Sequence, residues 1–281
     1  MCQRKYALEL ISESGLSGAK LAGTPLELNQ NLTPTEYDSC FNTNSAHLDE
    51  ALKNPGIYQR LVGRLLYLTM TRPDIAFVVQ VLSQFMHCPK NSHIKATLRV
   101  VRYITEALGL GLLMPAESSS KPIAYCDLDW GACIQRRRSV TRYLVKFGNA
   151  LISWKSKKQS TVSRSSAEAE FRSMASCAAE VTWLTGLFGE LDVKIEMPIT
   201  LIYDSKAAIQ IAAKLIFHER TKHIDIDFYF VTEKLSQRLL KIEYVNTEDQ
   251  LADLLIKDLG RAQHEYLLNK MGLKNLFESS A

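Results

Sequence analysis

Two aspartates lie where functional groups collect in open α/β sheets. Asp127 directly follows the short apolar segment 123–126, and Asp204 directly follows the apolar segment 199–203, both predicted strands. In such sheets, functional groups gather beyond the carboxyl ends of the strands. If these two strands are parallel neighbours, Asp127 and Asp204 lie side by side and are candidates for one shared site.

Two more carboxylates lie early in predicted helices of the same region. Glu170 falls in the first turns of a helix predicted over 165–191, and Asp253 in the second turn of a helix that begins at 247. Four clustered carboxylates repel one another unless cations bind. Oxygen ligands suit magnesium or manganese, and two such ions about 4 Å apart support in-line displacement at a phosphodiester. The pattern therefore predicts a two-metal phosphodiesterase.

Each of the four acids also has a purely structural interpretation. Aspartate is frequent in turns after strands, and the helix dipole favours acids early in helices. Two neighbouring acids illustrate such roles: Asp129 shares a strand face with Asp127, and Glu168 forms a predicted capping box with Ser165. The joint occurrence of four acids at the right ends of the right elements favours the functional interpretation.

A strongly basic segment separates the first two acids. Between Trp130 and Glu168 there are nine Lys or Arg residues and no Asp or Glu, although the net charge of the chain is only +4. A basic surface either keeps a protein soluble or binds a polyanion, because Lys and Arg displace the counterions of phosphates. The residues expected to contact nucleic-acid phosphates are Arg137, Arg138, Lys155, Lys157, Lys158 and Arg164.

The hydrophobic pattern predicts the elements that position these side chains. From residue 119 the expected order is three strands, a helix, a strand, two helices, a strand and a helix, which implies a mixed sheet with antiparallel hairpins and parallel crossovers. The predicted strands cover 123–126, 140–147, 151–155, 199–203 and 241–245, and the predicted helices cover 165–191, 206–215, 224–239 and a segment from 247.

Three regions are expected along the chain. Residues 1–55 begin with a helix near 4–12 and continue as a loop-rich arm, and residues 56–118 show the three- and four-residue apolar spacing of helices. Residues 119–281 hold all the candidate site residues. The predicted class is α/β, with a mixed five-stranded sheet flanked by helices and preceded by a mainly helical connection region.

Composition excludes several classes of protein. With 46% apolar and 23% charged residues in 281, the chain is neither disordered nor, lacking a run of about 18 apolar residues, membrane-spanning. The N-terminus has no apolar core typical of a secretory signal. The six cysteines form no C-x-x-C pair and are expected to be free thiols. A cytoplasmic or nuclear location is therefore expected, neither secreted nor membrane-bound.

Long ordered motifs resemble the ribonuclease H domain of copia-type retrotransposon Pol polyproteins. These motifs are YCDLDW (125–130), RRS (137–139), ISWKSKKQ (152–159), SRSSAEAEF (163–171), YDSKAA (203–208), RTKHI (220–224) and EDQLAD (248–253). Upstream, YQRLVG (58–63) and TRPDI (71–75) resemble the segment that joins the polymerase palm to that domain. The resemblance covers essentially the whole chain.

The resemblance implies a ribonuclease H-like fold that cleaves the RNA strand of RNA–DNA hybrids with two magnesium ions, which manganese can replace. The family's four catalytic, metal-binding acids correspond to Asp127, Glu170, Asp204 and Asp253. Glu170 is chosen over Glu168 because the family's glutamate precedes an aromatic residue, here Phe171. The implied partners are an RNA–DNA hybrid and a polymerase domain of the same polyprotein, within a virus-like particle, with no small-molecule cofactor.

Several features depart from the family pattern. The chain has no adjacent aspartate pair, so we expect a C-terminal fragment without polymerase activity. Arg142 replaces a usual glycine, Lys214-Leu215 a usual Asn-Pro, and Ile256 a usual threonine. Many ribonuclease H enzymes carry a histidine in the loop before the last helix, and the loop at 246–248 has none.

Two other readings remain open. One is a catalytically silent nucleic-acid-binding remnant, or a domesticated interaction module whose N-terminal helices hold a polymerase. The other is a related nuclease that cleaves DNA.

Overall fold

A computed structural model describes residues 1–28, 30, 32–41, 49–115, 119–133, 136–213, 225–255 and 259–276. Its α-helices are α1 Arg4–Glu13, α2 Thr35–Phe41, α3 Pro55–Leu68, α4 Ala76–Ser83, α5 Asn91–Glu106, α6 Ser166–Glu190, α7 Lys206–Ala213, α8 Asp225–Ser236 and α9 Arg261–Met271. Its strands are β1 Leu110–Leu112, β2 Pro122–Asp129, β3 Val140–Phe147, β4 Ala150–Lys158, β5 Ile199–Tyr203, β6 Leu240–Tyr244 and β7 Leu273–Asn275.

The chain divides into two compact units whose bounds differ from the expected domains. The first unit contains Met1–Leu113 together with Lys257–Ala281, and the second contains Met114–Ile256. Residues after 256 group with the first unit because β7 pairs antiparallel with β1 and because the His264 ring bonds the Tyr103 hydroxyl at 3.0 Å.

The first unit has a helical core that includes part of the expected N-terminal arm. Leu10 on α1 is buried in one apolar cluster with Val62 on α3 and Val100 on α5. Leu26, in the loop-rich stretch after α1, is buried in the same cluster. Residues 1–28 therefore contribute to a packed core, which the polar composition of this stretch concealed.

The second unit is built on a mixed sheet, as the sequence predicts. Among the described residues this sheet has five strands in the order β4-β3-β2-β5-β6. β2, β3 and β4 are antiparallel neighbours, whereas β5 runs parallel to both β2 and β6. The predicted class, a mixed five-stranded sheet flanked by helices, is confirmed.

The long helix α6 covers the central strands of this sheet. Its buried side chains Phe171, Met174 and Val181 lie in one apolar cluster with Ala124 on β2 and Leu201 on β5. The predicted N-cap is confirmed, because the Ser165 hydroxyl accepts a hydrogen bond from the Glu168 N–H at 3.2 Å. The packing of α6 and its cap at Ser165 therefore fix the position of Glu170 relative to the sheet.

The predicted helix from 247 is wrong. Two short 3-10 helices, Thr247–Asp249 and Leu251–Leu255, occupy this region, and the last α-helix, α9, begins only at Arg261. The buried Gln250 separates the two short helices: its amide bonds the Cys126 carbonyl, and its side-chain oxygen accepts from the Ala252 N–H. Both interactions fix a turn where periodicity suggested continuous helix.

Two simpler expectations can be compared with the described part of the chain. No helix there is both long and apolar enough to cross a membrane. The cysteines at positions 2, 88, 126, 133 and 177 are free thiols. The ends of the predicted helices 206–215 and 224–239 fall partly outside the described residues. Lys214-Leu215, Ile256 and the whole RTKHI motif also lie outside them.

Candidate active site

Asp127 and Asp204 come from neighbouring parallel strands at the same edge of the sheet. In the pairing of β2 with β5, Tyr125 lies opposite Ile202, and each aspartate lies two residues further along its chain. Asp127 is buried, with 7% of its surface exposed, and lies inside β2, which continues to Asp129. The negative charge of Asp204 acts directly on the Asp127 carboxyl.

Glu170 reaches this edge from α6. The Ser205 hydroxyl donates a hydrogen bond to Glu170 Oε2 at 3.2 Å and accepts one from the Ala208 N–H at 3.3 Å, at the start of α7. Ser205 directly follows Asp204 in the chain. The same residue therefore starts α7 and orients the helix carboxylate toward Asp204.

Asp253 lies in the 3-10 helix Leu251–Leu255, which contacts β2 and β3. Two hydrogen bonds fasten this helix to the sheet. Gln250 Nε2 donates to the Cys126 carbonyl at 3.0 Å, and Ser156 Oγ donates to the Leu255 carbonyl at 3.2 Å. Asp253 is buried and its charge acts on Asp127, so it joins the group although its local structure differs from the prediction.

Burial and mutual repulsion alter the acidity of two of these carboxyls. Burial, together with the charge of Asp204, raises the pKa of Asp127 to about 7 despite the opposing charge of Arg142. Burial also raises the pKa of Glu170, and the charge of Asp204 adds to the effect. All four predicted acids therefore belong to one electrostatic cluster.

Arg142 contributes a positive charge to this cluster. It lies directly opposite Asp127 in the β2–β3 pairing, so the two side chains leave the same face of the sheet. Its Nη1 is 3.7 Å from Asp127 Oδ2, and its Nη2 is 3.4 Å from Asp129 Oδ2. Burial lowers the pKa of Arg142 to about 10, so the guanidinium stays charged near neutral pH.

Glu168, the alternative to Glu170, has a structural role. Its carboxylate accepts hydrogen bonds from the Arg164 N–H at 2.7 Å and from Arg172 Nη2 at 2.6 Å. The Arg164 N–H takes the place that the predicted capping box assigns to the N–H of Ser165. Glu168 therefore closes the start of α6.

The three lysine candidates lie on one strand of the same sheet as Asp127. Lys155, Lys157 and Lys158 lie on β4, two strands from β2 and so roughly 10 Å away. Read from β4 across β3 to β2, the rows are Lys155–Tyr143–Cys126, Lys157–Thr141–Leu128 and Lys158–Val140–Asp129. Lys155 and Lys157 are exposed, and Lys158 Nζ lies 3.2 Å from Cys133 Sγ.

The basic arginines lie at the ends of elements. Arg137, exposed with a left-handed φ of 49°, and the half-buried Arg138 precede β3, and the exposed Arg164 precedes α6. The six predicted phosphate-binding residues therefore lie on β4 or in the segments directly before β3 and α6.

The donor set suits a hard divalent cation. Four carboxylates in one electrostatic cluster offer the oxygen ligands that Mg²⁺ and Mn²⁺ prefer. As the side chains stand, however, no three His, Cys, Asp or Glu residues in the described parts are grouped closely enough to hold one ion. The chemistry of the cluster fits the metal, and ligation requires the carboxylates to move closer together.

Three residues of this site were not predicted as functional from the sequence. The sequence marks Arg142 only as one of nine basic residues and as a departure from a family pattern, and it indicates no role at the site for Ser205 or Gln250. The Ser205 signal was available, because serine directly before a helix is a typical N-cap. The roles of Arg142 and Gln250 depend on strand register and on a long-range contact, which no local pattern encodes.

Comparison with known proteins gives the relatives of the chain. It is 35% identical over 273 residues to the retrovirus-related Pol polyprotein from transposon RE1 of Arabidopsis thaliana, an alignment that covers 97% of this chain and 18% of the relative. It is 31% identical over 280 residues to the Pol polyprotein from transposon TNT 1-94 of Nicotiana tabacum, covering 97% and 20%. The chain thus spans about a fifth of the length of these relatives.

A shorter relative and a solved structure complete the comparison. An uncharacterized mitochondrial protein of Arabidopsis thaliana is 36% identical over 185 residues, which cover 65% of this chain and 71% of the relative. The structure of the ribonuclease H1 LC11, isolated from compost, aligns with a TM-score of 0.38 and 14% identity, covering 48% of this chain and 92% of that one.

No family model matches the sequence. The long alignments to the Pol polyproteins nevertheless run through the motifs that contain the four acids. Along 97% of its length the chain is therefore similar to Pol polyproteins of plant retrotransposons.

Proposed function

We propose that the chain is an endonuclease that hydrolyses the RNA strand of RNA–DNA hybrids, using two divalent metal ions, as part of a retrotransposon Pol polyprotein. The observation that carries this proposal is the approach of Asp127, near the end of β2, and Asp204, directly after the parallel strand β5, with Glu170 and Asp253 in the same electrostatic cluster. The similarity of the chain to retrotransposon Pol polyproteins supports it.

The four carboxylates are the metal ligands in this proposal. Asp127, Glu170, Asp204 and Asp253 would together hold the two ions through their carboxylate oxygens. Bound ions of this kind supply an activated water and stabilise the leaving oxygen of a phosphodiester. Ser205 and Gln250 position Glu170 and the Asp253 turn, and neither needs to touch the substrate.

The basic residues would hold the substrate without reading its sequence. The lysines on β4, with Arg137, Arg138 and Arg164, suit contacts to backbone phosphates. Preference for a hybrid over a DNA duplex would come from contacts to the 2′-hydroxyls of the RNA strand. A polymerase domain of the same polyprotein is a proposed partner.

The test is a cleavage assay on a hybrid with each strand labelled in turn. With Mg²⁺ or Mn²⁺ the chain should cut the RNA strand and leave the DNA strand intact, and the Asp127→Asn and Asp204→Asn variants should lose at least 100-fold in rate. Folded protein that leaves both strands intact with either metal would refute the proposal. Cleavage of a DNA duplex at an equal rate would instead support the DNA nuclease.

One observation favours a second candidate, a hybrid-binding protein that does not cleave. Arg142 already provides Asp127 with a positive partner, as expected of a cluster that is stable without metal. In this case the chain binds the hybrid with an affinity that falls steeply with salt. Binding would persist in the Asp127→Asn variant, and no product would form with either metal.

A further inference from the structure

The carboxylate cluster contains its own fixed cation. The Arg142 side chain is fully buried, at 0% exposure, beside Asp127 at 9% and Asp129 at 42%. Its charge also acts on Asp253. A guanidinium remains protonated at neutral pH, so this charge is permanent. One positive charge is therefore buried at the place where the proposed ions would bind.

The position of Arg142 leaves it no alternative environment. It lies on β3, which is paired on both sides, with Asp127 opposite on β2 and Ser156 opposite on β4. Ser156 in turn bonds the Leu255 carbonyl of the short helix that carries Asp253. The guanidinium is therefore enclosed by the sheet and this helix, and it cannot move out to solvent without disturbing one of them.

We propose that Arg142 is an internal counter-cation that competes with divalent metal ions for Asp127 and so keeps metal binding at this cluster weak. This inference rests on the proposed metal site. It goes beyond that site because it gives Arg142 a role of its own. Arg142 would set the concentration of divalent metal at which the site becomes occupied.

The physical argument is a competition between positive charges. A divalent ion at Asp127 would approach within a few ångströms of a buried guanidinium, where salt screens the repulsion poorly. The guanidinium also forms an ion pair with Asp127 Oδ2, and the ion would have to compete for this oxygen. The carboxylates of Asp204 and Asp253 still attract the ion, so the result is reduced affinity and not exclusion.

The test measures the affinity for Mn²⁺ alone, without nucleic acid, by electron paramagnetic resonance of the free ion. The Arg142→Met variant keeps the length of the side chain and removes the charge, so it should bind Mn²⁺ at least tenfold more tightly than the unaltered chain. The Arg142→Lys variant keeps the charge and should remain within about threefold of the unaltered chain. Lys146→Gln removes a charge four residues away on the same strand and should not change the affinity.

A second readout separates this role from simple structural support. Without metal, Arg142→Met should lower the melting temperature, because two carboxylates lose their counter-cation. Addition of Mn²⁺ should then raise the melting temperature of this variant more than that of the unaltered chain. If Arg142 were merely structural, its replacement would lower the melting temperature equally with and without Mn²⁺. The increase caused by the metal would then be unchanged. Arg142→Gln, neutral and polar, provides the same comparison if the Met variant does not fold.

The outcomes are distinct for the two proposals. If the unaltered chain binds Mn²⁺ and cleaves the hybrid, but Arg142→Met binds no more tightly, the role of Arg142 is refuted and the nuclease stands. If neither the unaltered chain nor any Arg142 variant binds Mn²⁺, the metal site itself is wrong, and the inference fails with it.

Discussion

The Ser205 hydroxyl donates a hydrogen bond to Glu170 Oε2 at 3.2 Å. This bond joins the helix carboxylate to the residue that directly follows Asp204, so one serine connects the acids of α6 and β5. Glu168, two residues earlier on α6, instead faces Arg172 and the Arg164 N–H. The two glutamates of α6 therefore have different roles, and mutating each one separately can distinguish these roles.

We expect Glu170→Gln to lose at least 100-fold in metal-dependent cleavage, because the amide removes a ligand charge from the cluster. The matched variant Glu168→Gln should keep its cleavage rate within about twofold but lose about 1–2 kcal/mol in the free energy of unfolding, since it weakens charged hydrogen bonds. Cleavage rates and urea denaturation of both variants are the measurements. The opposite pattern, with Glu168→Gln inactive and Glu170→Gln active, would show that the metal ligand is Glu168 and not Glu170.

Gln250 is predicted to position Asp253. Replacing it with alanine leaves the Cys126 carbonyl and the Ala252 N–H without their buried partner, which should cost about 1–3 kcal/mol in the free energy of unfolding. The affinity for Mn²⁺ should also fall several-fold, because the Asp253 turn is no longer fastened to β2. Gln237→Ala, at an exposed position directly after α8, is the control and should change neither value. Loss of stability with unchanged metal affinity would show that Gln250 does not position the site.

A buried ion pair stabilises the first unit. Arg72 bonds the Asp74 carboxylate through Nε and Nη2, and Asp74 also accepts from the Tyr103 hydroxyl at 2.9 Å. Arg72→Met should cost about 3–5 kcal/mol in the free energy of unfolding, because it leaves a buried carboxylate unpaired. The double variant Arg72→Met/Asp74→Leu should be more stable than the single one. Denaturation showing the double variant to be the less stable would contradict this account.

The protonation of His93 should make the stability of the first unit depend on pH. Its Nδ1 accepts the Lys90 N–H at 3.0 Å, so its Nε2 carries the proton and donates to the Thr33 carbonyl at 3.1 Å. Burial, together with the charge of Lys90, lowers the pKa of His93 to about 4 against the opposing charges of Asp49 and Asp38.

The unfolded chain therefore takes up this proton below about pH 6.5, whereas the folded chain does so only near pH 4. Stability should fall as the pH is lowered through this window. Urea denaturation at several pH values, with His93→Gln as the comparison, measures the effect, and the variant should show a shallower slope between pH 6.5 and 4. Equal slopes would mean that His93 titrates normally in the folded protein.

Much of the second unit could be predicted from local sequence. β3 and β5 have the predicted bounds, because each apolar run ends in a clear turn or polar residue. Ser165 marked the start of α6 correctly, since N-cap chemistry is local. The end of β5 before Asp204 was likewise visible in the sequence, whereas β2 continues past the predicted end at 126 to Asp129, so Asp127 lies inside the strand.

What could not be predicted depends on contacts between distant residues. The turn around Asp253 is held by Gln250 and the Cys126 carbonyl, 124 residues away in the chain, so helical periodicity alone gave the wrong element. Arg142 became an internal partner of Asp127 only through the register of β2 with β3. The burial of Leu26 likewise depends on helices that follow much later.

The most direct test of the central claim is anomalous diffraction from crystals of the chain grown with Mn²⁺. The account predicts two manganese peaks about 4 Å apart, ligated by Asp127, Glu170, Asp204 and Asp253, and loss of both peaks in Asp127→Asn crystals. Crystals that diffract well but show no manganese among these four carboxylates, or manganese bound only elsewhere, would contradict it.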